Sequence, residues 1–259
     1  MGDYKFDTFY YTVDQSSEHY LSEIENLSDE DYKASFKGKM YCPWCKGPQL
    51  SLVNSQNGNS FLRTYPKQEH VVVDEEFCPY GFDTASNNLV KKYIQELKEK
   101  KKIKSLLESI MRKLFNLDVP KQINEKNTSH FFPNPLLIEN NEDDKTKVRK
   151  IISHYSFKTW GKNIPPEQLL VVYGKVFITL RDFQTNKEEM QTYIHFKDIY
   201  SHKLITSCIK PQKLEISEGY YYAVVLGECH RKESNGYIYY NLWLNAPIDD
   251  SILLKPFSL

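Results

Sequence analysis

The sequence lacks net charge: 34 Lys and Arg residues balance 34 Asp and Glu residues over 259 positions. That excludes the simplest nucleic-acid signature, a strongly basic domain. Long apolar runs are lacking too. No stretch approaches the roughly 18 consecutive apolar residues of a membrane span. The N-terminus, Met1-Gly2-Asp3-Tyr4-Lys5-Phe6-Asp7, has no basic region followed by an apolar run and does not read as a secretory leader. Phe6 stands where N-myristoylation needs Ser or Thr. Glycine is sparse, at 10 residues, and cysteine sparser, at five. Together these features point to a cytoplasmic chain. In that compartment thiols stay reduced, and a few cysteines serve metals or packing rather than disulfides.

Aromatic residues are abundant: 19 Tyr, 14 Phe and 3 Trp. An AT-rich coding sequence enriches Tyr, Asn, Lys and Ile by itself, so the count alone carries no chemistry. Position carries more. Residues 1–40 hold nine acids against four lysines. Within them, Ser17 and Ser28 are placed to cap helices over 18–26 and 29–36, and Gly38 would end the second. Leu50-Ser51-Leu52-Val53 followed by Asn57-Gly58-Asn59 reads as a hairpin. Residues 85–117 read as one long helix, with apolar residues at helical spacing from Val90 to Phe115. Over 91–115 it carries nine bases against three acids, either a phosphate-lining surface or a solvated helix face. Residues 121–147 are polar and irregular, with Pro133, Pro135 and an acidic run, and read as a linker (121–150), with a short helix over 145–155 following. Five alternating strands follow: Leu169–Arg181, Met190–Phe196, Lys203–Ile209, Tyr220–Glu228 and Tyr237–Asn245. The expected architecture is α+β: a zinc-binding and helical domain (1–120), the linker, and a five-stranded OB-like β-barrel (151–259).

Cys42-Pro43-Trp44-Cys45 is a Cys-x2-Cys knuckle, a spacing that turns two thiolates onto one ion. The nearest further ligands are His70 and Cys78, giving Cys-x2-Cys-x24-His-x7-Cys. A Cys3His set suits a closed, tetrahedral structural zinc and excludes magnesium and calcium. A redox Cys-x2-Cys would open a helix in a βαβ unit. Here Gly47, Pro48 and an apolar strand follow instead. Cys208, Cys229, His195, His202 and His230 lack such spacing, and lone cysteines in strands are usually small buried hydrophobes.

The segment Phe36-Lys37-Gly38-Lys39-Met40-Tyr41-Cys42-Pro43-Trp44-Cys45, with Phe61-Leu62-Arg63, His70 and Cys78-Pro79-Tyr80 downstream, resembles the zinc modules of competence-associated (CoiA-like) bacterial proteins. The resemblance covers about 45 residues. In that family a nuclease-like domain follows. No nuclease motif is visible here, so the catalytic inference does not carry over.

Alternation in the C-terminal strands separates two faces. Leu170, Val172, Val176, Ile178 and Leu180 form a core face of the first strand. The opposite faces carry Tyr173, Lys175, Phe177 and Arg181, then Tyr193 and Lys197, then Tyr239 and Trp243. Rings interleaved with cations are what a single strand of DNA or RNA needs: rings stack bases and cations follow phosphates. The competing reading is ordinary half-exposed strand aromatics, or a face covered by the N-terminal domain. Phosphate-cradling glycine loops, nucleophile elbows and metalloprotease helices are all missing. The sequence therefore points to a non-catalytic, zinc-stabilised protein that binds single-stranded nucleic acid. The alternatives are a protein-interaction adaptor in a replication, recombination or phage-defence assembly, and a nuclease accessory subunit.

Overall fold

The computed structural model describes residues 6, 8–54, 60–73, 76–115, 135–143, 146–161, 164–184, 190–234, 237–245 and 248–259. The turn signals at Asn57-Gly58-Asn59, Thr185-Asn186 and Asn235-Gly236, and the polar stretch 121–134, lie outside these residues. The chain divides into two compact units, Met1–Ala85 with Lys121–Ile152, and Ser86–Pro120 with Ser153–Leu259. This division differs from the expected boundaries. The basic helices belong with the C-terminal strands, and much of the expected linker belongs with the N-terminal unit.

The first unit is built from short strands: β1 (Thr8–Tyr11), β2 (Ser16–Tyr20), β3 (Met40–Tyr41), β4 (Leu50–Asn54), β5 (Ser60–Thr64), β6 (Val72–Val73), β7 (Glu76–Phe77), β8 (Leu137–Asp143) and β9 (Thr146–Ile151), with helix α1 (Asp29–Ser35) after β2. β1 is central to a three-stranded antiparallel sheet, between β2 and β3. β4 and β5 form the expected hairpin. Ser28 caps α1 as its sequence implies, its hydroxyl accepting from the Asp31 N–H at 3.1 Å. The helix expected over 18–26 is not formed. Ser16–Tyr20 instead pairs with β1, leaving only a single 3-10 turn at Leu21–Glu23. The helix expected over 145–155 is likewise replaced by the β8–β9 hairpin. In both places cross-strand backbone pairing overrides a weak helical signal.

The core of this unit joins Phe6, Phe9, Leu21, Ile24, Met40, Leu50, Leu62 and Tyr80 to three cysteines, Cys42, Cys45 and Cys78. At its rim, His19 stacks on Phe9 with ring centroids 5.4 Å apart. Its two ring nitrogens meet Asp14 at 2.6 Å and Glu23 at 2.8 Å.

The second unit opens with helices α2 (Asn87–Glu99) and α3 (Ile103–Phe115). The single helix expected over 85–117 is thus two, although no Gly or Pro intervenes. Lys101 takes φ 55°, the left-handed position that closes a helix. Its N–H donates to the Lys98 carbonyl and the Lys102 N–H to the Leu97 carbonyl, at 3.0 and 2.8 Å, which is a Schellman closure. Asn87 ties the start of α2 to the strands: its side chain donates to the Glu167 carbonyl and accepts from the Leu169 N–H. At the end of α3, Phe115 packs on Tyr222 and Tyr173, with ring centroids 4.9 and 6.4 Å away.

The remaining strands are β10 (His154–Ser156), β11 (Leu169–Gln184), β12 (Met190–Lys197), β13 (Leu204–Ile209), β14 (Gly219–Ser234), β15 (Tyr237–Leu244) and β16 (Ile252–Pro256). Five of them correspond to the sequence expectation and form one curled antiparallel sheet in the order β13-β12-β11-β14-β15. β10 and β16 add to its β11 and β14 edges. The sheet curls until its outer strands meet. The Tyr240 carbonyl of β15 accepts from the Thr206 hydroxyl of β13 at 2.7 Å and from the Trp160 indole N–H at 2.9 Å. Inside lie Leu170, Val172, Val176, Ile178, Ile194, Phe196, Cys208 and Cys229, with Phe157 stacked on Phe196 at 4.8 Å.

β14 passes from β11 to β15 at Gly227, where the backbones are so close that a Cβ would lie 2.5 Å from the Trp243 carbonyl oxygen. Gly227→Ala is expected to destabilise this unit by about 2 kcal/mol or more, because backbone must move to admit the methyl group. A urea titration that left the midpoint unchanged would contradict that contact. His19 supplies a second prediction. Burial lowers its pKa, but the hydrogen bonds to Glu23 and Asp14 outweigh this and raise it. Its stabilisation is therefore complete below the ordinary value of about 6.5 and is lost as pH rises through the raised folded value. His19→Gln should cost under about 1 kcal/mol at pH 6, since the pairs are solvent-screened, and less at pH 8.5. Equal costs at both pH values would refute the ion pairing.

Candidate metal centre and aromatic strand faces

Cys42 leaves β3 directly into a tight turn. The Cys42 N–H donates to the Pro48 carbonyl at 2.9 Å, and the Lys46 N–H donates to the Cys42 carbonyl at 3.0 Å. Lys46 sits at φ 55°, which turns the chain so that the Gly47 N–H meets the Cys45 sulfur. Cys78 approaches from the end of β7, where the Tyr80 N–H meets its sulfur. His70 presents Nδ1 to Cys78 at 3.2 Å and to Cys45 at 3.4 Å. Its ring is held against Phe6, stacked at 6.1 Å, and against Tyr80.

The donor atoms of Cys42, Cys45, His70 and Cys78 all lie within 4.8 Å of one another. The Cys42 and Cys78 sulfurs are 3.6 Å apart, far beyond a disulfide bond of about 2.05 Å. Tetrahedral bonds of about 2.3 Å to one ion would place two sulfurs about 3.8 Å apart, close to this spacing. Burial pushes the Cys42 thiol well up, while hydrogen bonds from Cys42 and Cys78 hold Cys45 far down. For Cys78, contact with Cys42 lowers the thiol, but Cys45 and burial push it up to about 12. Three buried sulfurs thus crowd one another's charge, and a shared cation relieves that repulsion. The four residues expected from the sequence are brought together, and their arrangement can hold a metal ion.

Among the described residues no other Cys, His, Asp and Glu set has this geometry. Burial raises the thiols of Cys208 and Cys229, the latter to about 11, as suits small core residues.

The eight residues expected at the nucleic-acid site stand on the same side of the sheet, on β11, β12 and β15, and other side chains cover some of them. Tyr173 is half-buried beneath Phe115 and beside His154. Lys175 is half-buried on the same stretch of β11. Phe177 is covered by His202, whose ring lies parallel to it at 4.3 Å, and by Tyr220 at 4.9 Å. His202 reaches it from a turn organised by Asp198, whose carboxylate accepts from the N–H groups of Tyr200 and Ser201 and from the Ser201 hydroxyl. Tyr239 and Trp243 lie apart on β15. Trp243 is 61% exposed and stacks on His230 at 3.9 Å.

What remains together is the β11–β12 hairpin. Arg181 pairs with Tyr193, Thr179 with His195 and Phe177 with Lys197, so these side chains share one face. Phe183, 58% exposed, extends it and meets Tyr193 edge-on at 6.2 Å. His195 lies between two cations on this face: burial, then Lys197, then Arg181 hold its imidazole below the ordinary value. Sequence reasoning missed Phe183 because the strand was expected to end at Arg181. It missed the His202 cover because only a turn with φ 55° brings that ring over Phe177.

Metal binding should depend on all four residues. Cys42→Ser, Cys78→Ser or His70→Ala should weaken affinity by more than the roughly 100-fold typical of an outer-shell change. Trp44, between the first two cysteines, reports the site by fluorescence. Cobalt(II) titration should give a tetrahedral thiolate spectrum with the native chain and lose it with Cys78→Ser. Identical spectra would exclude Cys78 as a ligand.

Compared with known proteins, the chain matches no family model, no curated protein and no solved structure. Among its described residues, no helix is long and apolar enough to cross a membrane.

Proposed function

We propose that this chain binds single-stranded DNA or RNA without catalysis, through the outer face of β11 and β12, and that zinc is the ion held by Cys42, Cys45, His70 and Cys78. The curled sheet is read as an OB-type barrel. In support, β11 pairs with both β12 and β14, β12 with β13, and β14 with β15, and β13 approaches β15. The observation that carries the binding reading is the register of rings and cations on the hairpin. Arg181 stands opposite Tyr193 and Lys197 opposite Phe177, with Phe183 exposed beyond them. Bases would stack on Tyr193 and Phe183, while Arg181 and Lys197 would follow the phosphates. Zinc suits the three thiolates and one imidazole, and its binding would order the short strands around it.

A second reading rests on Trp243. An exposed Trp stacked on His230, apart from the hairpin, is the kind of residue that anchors a protein partner. It would make the chain an adaptor as well as a nucleic-acid binder.

Anisotropy of a fluorescein-labelled oligothymidylate separates these readings. Tyr193→Ala should lose about 1–3 kcal/mol of affinity, the worth of one stacked base. Arg181→Ala should flatten the log–log salt dependence by about 0.7. Trp243→Ala should leave both unchanged. A native chain that binds no oligonucleotide at low salt would end the nucleic-acid reading.

A further inference from the structure

The lysine-rich turn between α2 and α3 takes no part in either site above. Five lysines fall within seven residues, Lys98, Lys100, Lys101, Lys102 and Lys104, and all five are exposed. None is ion-paired with a described residue. Three occupy positions where local stability favours something else. Lys101 holds the left-handed position that suits glycine or asparagine. Lys102 is the N-cap of α3, its carbonyl accepting from the Leu106 N–H at 3.0 Å, where Ser, Thr, Asp or Asn is preferred. Lys104 sits in the first turn of α3, where the helix dipole disfavours a cation. Helix-end chemistry accounts for Lys98 and Lys100, near the C-terminus of α2, but not for the other three. Residues that work against local stability in one place mark a functional demand, and here the demand is positive charge.

The frame holds that charge in a fixed place. Asn87 anchors the start of α2 to Glu167 and Leu169, and Lys91 pairs with Glu228 at 2.9 Å. Phe115 anchors the end of α3 on Tyr173 and Tyr222. Each helix has 13 residues, so the turn lies at the far end of two arms about 20 Å long.

We infer that this turn is a second contact for the nucleic acid, one that grips the phosphate backbone without reading bases. The inference rests on the proposed single-strand binding and adds a site to it. A cluster of exposed, unpaired ammonium groups matches a run of phosphates by charge, and it offers no ring for a base and no apolar pocket for a peptide.

The test uses the full chain carrying Lys101→Gly, Lys102→Ser and Lys104→Gln together. Each replacement suits its local position, so thermal unfolding should be unchanged or move upward. Oligothymidylate binding is followed by anisotropy over a range of salt. Removing three phosphate contacts should flatten the log–log salt slope by about 2 and weaken binding at least about tenfold at about 50 mM salt. Fluorescence quenching at saturation, which reports stacking, should stay at the native level. If the native chain binds and the triple variant matches it in slope and affinity, the lysine contact is wrong while the hairpin reading stands. If the native chain does not bind, both fail. Loss of binding to phosphatidylserine vesicles with unchanged oligonucleotide binding would overturn the inference in favour of a membrane surface.

Discussion

The second unit depends on how one strand distributes its backbone hydrogen bonds. β11 is 16 residues long, pairing with β14 from Leu169 to Ile178 and with β12 from Phe177 to Gln184. Only Phe177 and Ile178 serve both partners. This hand-over obliges the sheet to curl, because two neighbours joined to different halves of a twisted strand cannot lie in one plane. It also fixes the side-chain alternation. Leu170, Val172, Val176 and Ile178 enter the core, while Tyr173, Lys175, Phe177 and Arg181 stay outside. A slip of one residue would exchange the two sets and bury an arginine, so core packing enforces the outer face as firmly as the inner one.

The first unit meets a different constraint. Its strands span two to seven residues, too short to define a core by pairing alone. The cysteines of the candidate metal centre belong to that core, beside Phe6, Met40, Leu50 and Leu62. The Cys and His cluster and the hydrophobic packing are one arrangement here. The Phe6 ring illustrates this: it stacks on His70 of the cluster and contacts Tyr80, while its backbone N–H donates to the Leu62 carbonyl.

The features that proved legible in the sequence were those with a repeating or fixed-spacing signal. Five strands followed from alternation, and the Cys42, Cys45, His70 and Cys78 cluster from the cysteine spacing and the nearest histidine. Features decided by distant pairing were not legible. Ser16–Tyr20 is a polar pentapeptide whose strand character comes from β1, not from its own residues. In Thr146–Ile151, Val148 and Ile151 sit three apart, a helical spacing that pairing with Leu137–Asp143 overrides. The break at Lys101 has no Gly or Pro to announce it. The strands were readable one by one, but not which outward aromatics would be covered. Tyr173 and Phe177 carry the same alternation as Arg181, and only the tertiary placement of Phe115 and His202 sets them apart.

The paired hydrogen bonds at the Tyr240 carbonyl also bear on behaviour at high concentration. β13 and β15 end the sheet, and such end strands ordinarily offer a row of free backbone groups to which another chain can add. Here they turn toward one another, with Thr206 and Trp160 donating to the same oxygen, while β10 and β16 occupy the lateral positions beside β11 and β14. An incoming strand from a neighbouring molecule finds the positions beside β11 and β14 already taken. The ends of the sheet therefore meet through side chains gathered on one carbonyl, while its middle strands are flanked by backbone ladders.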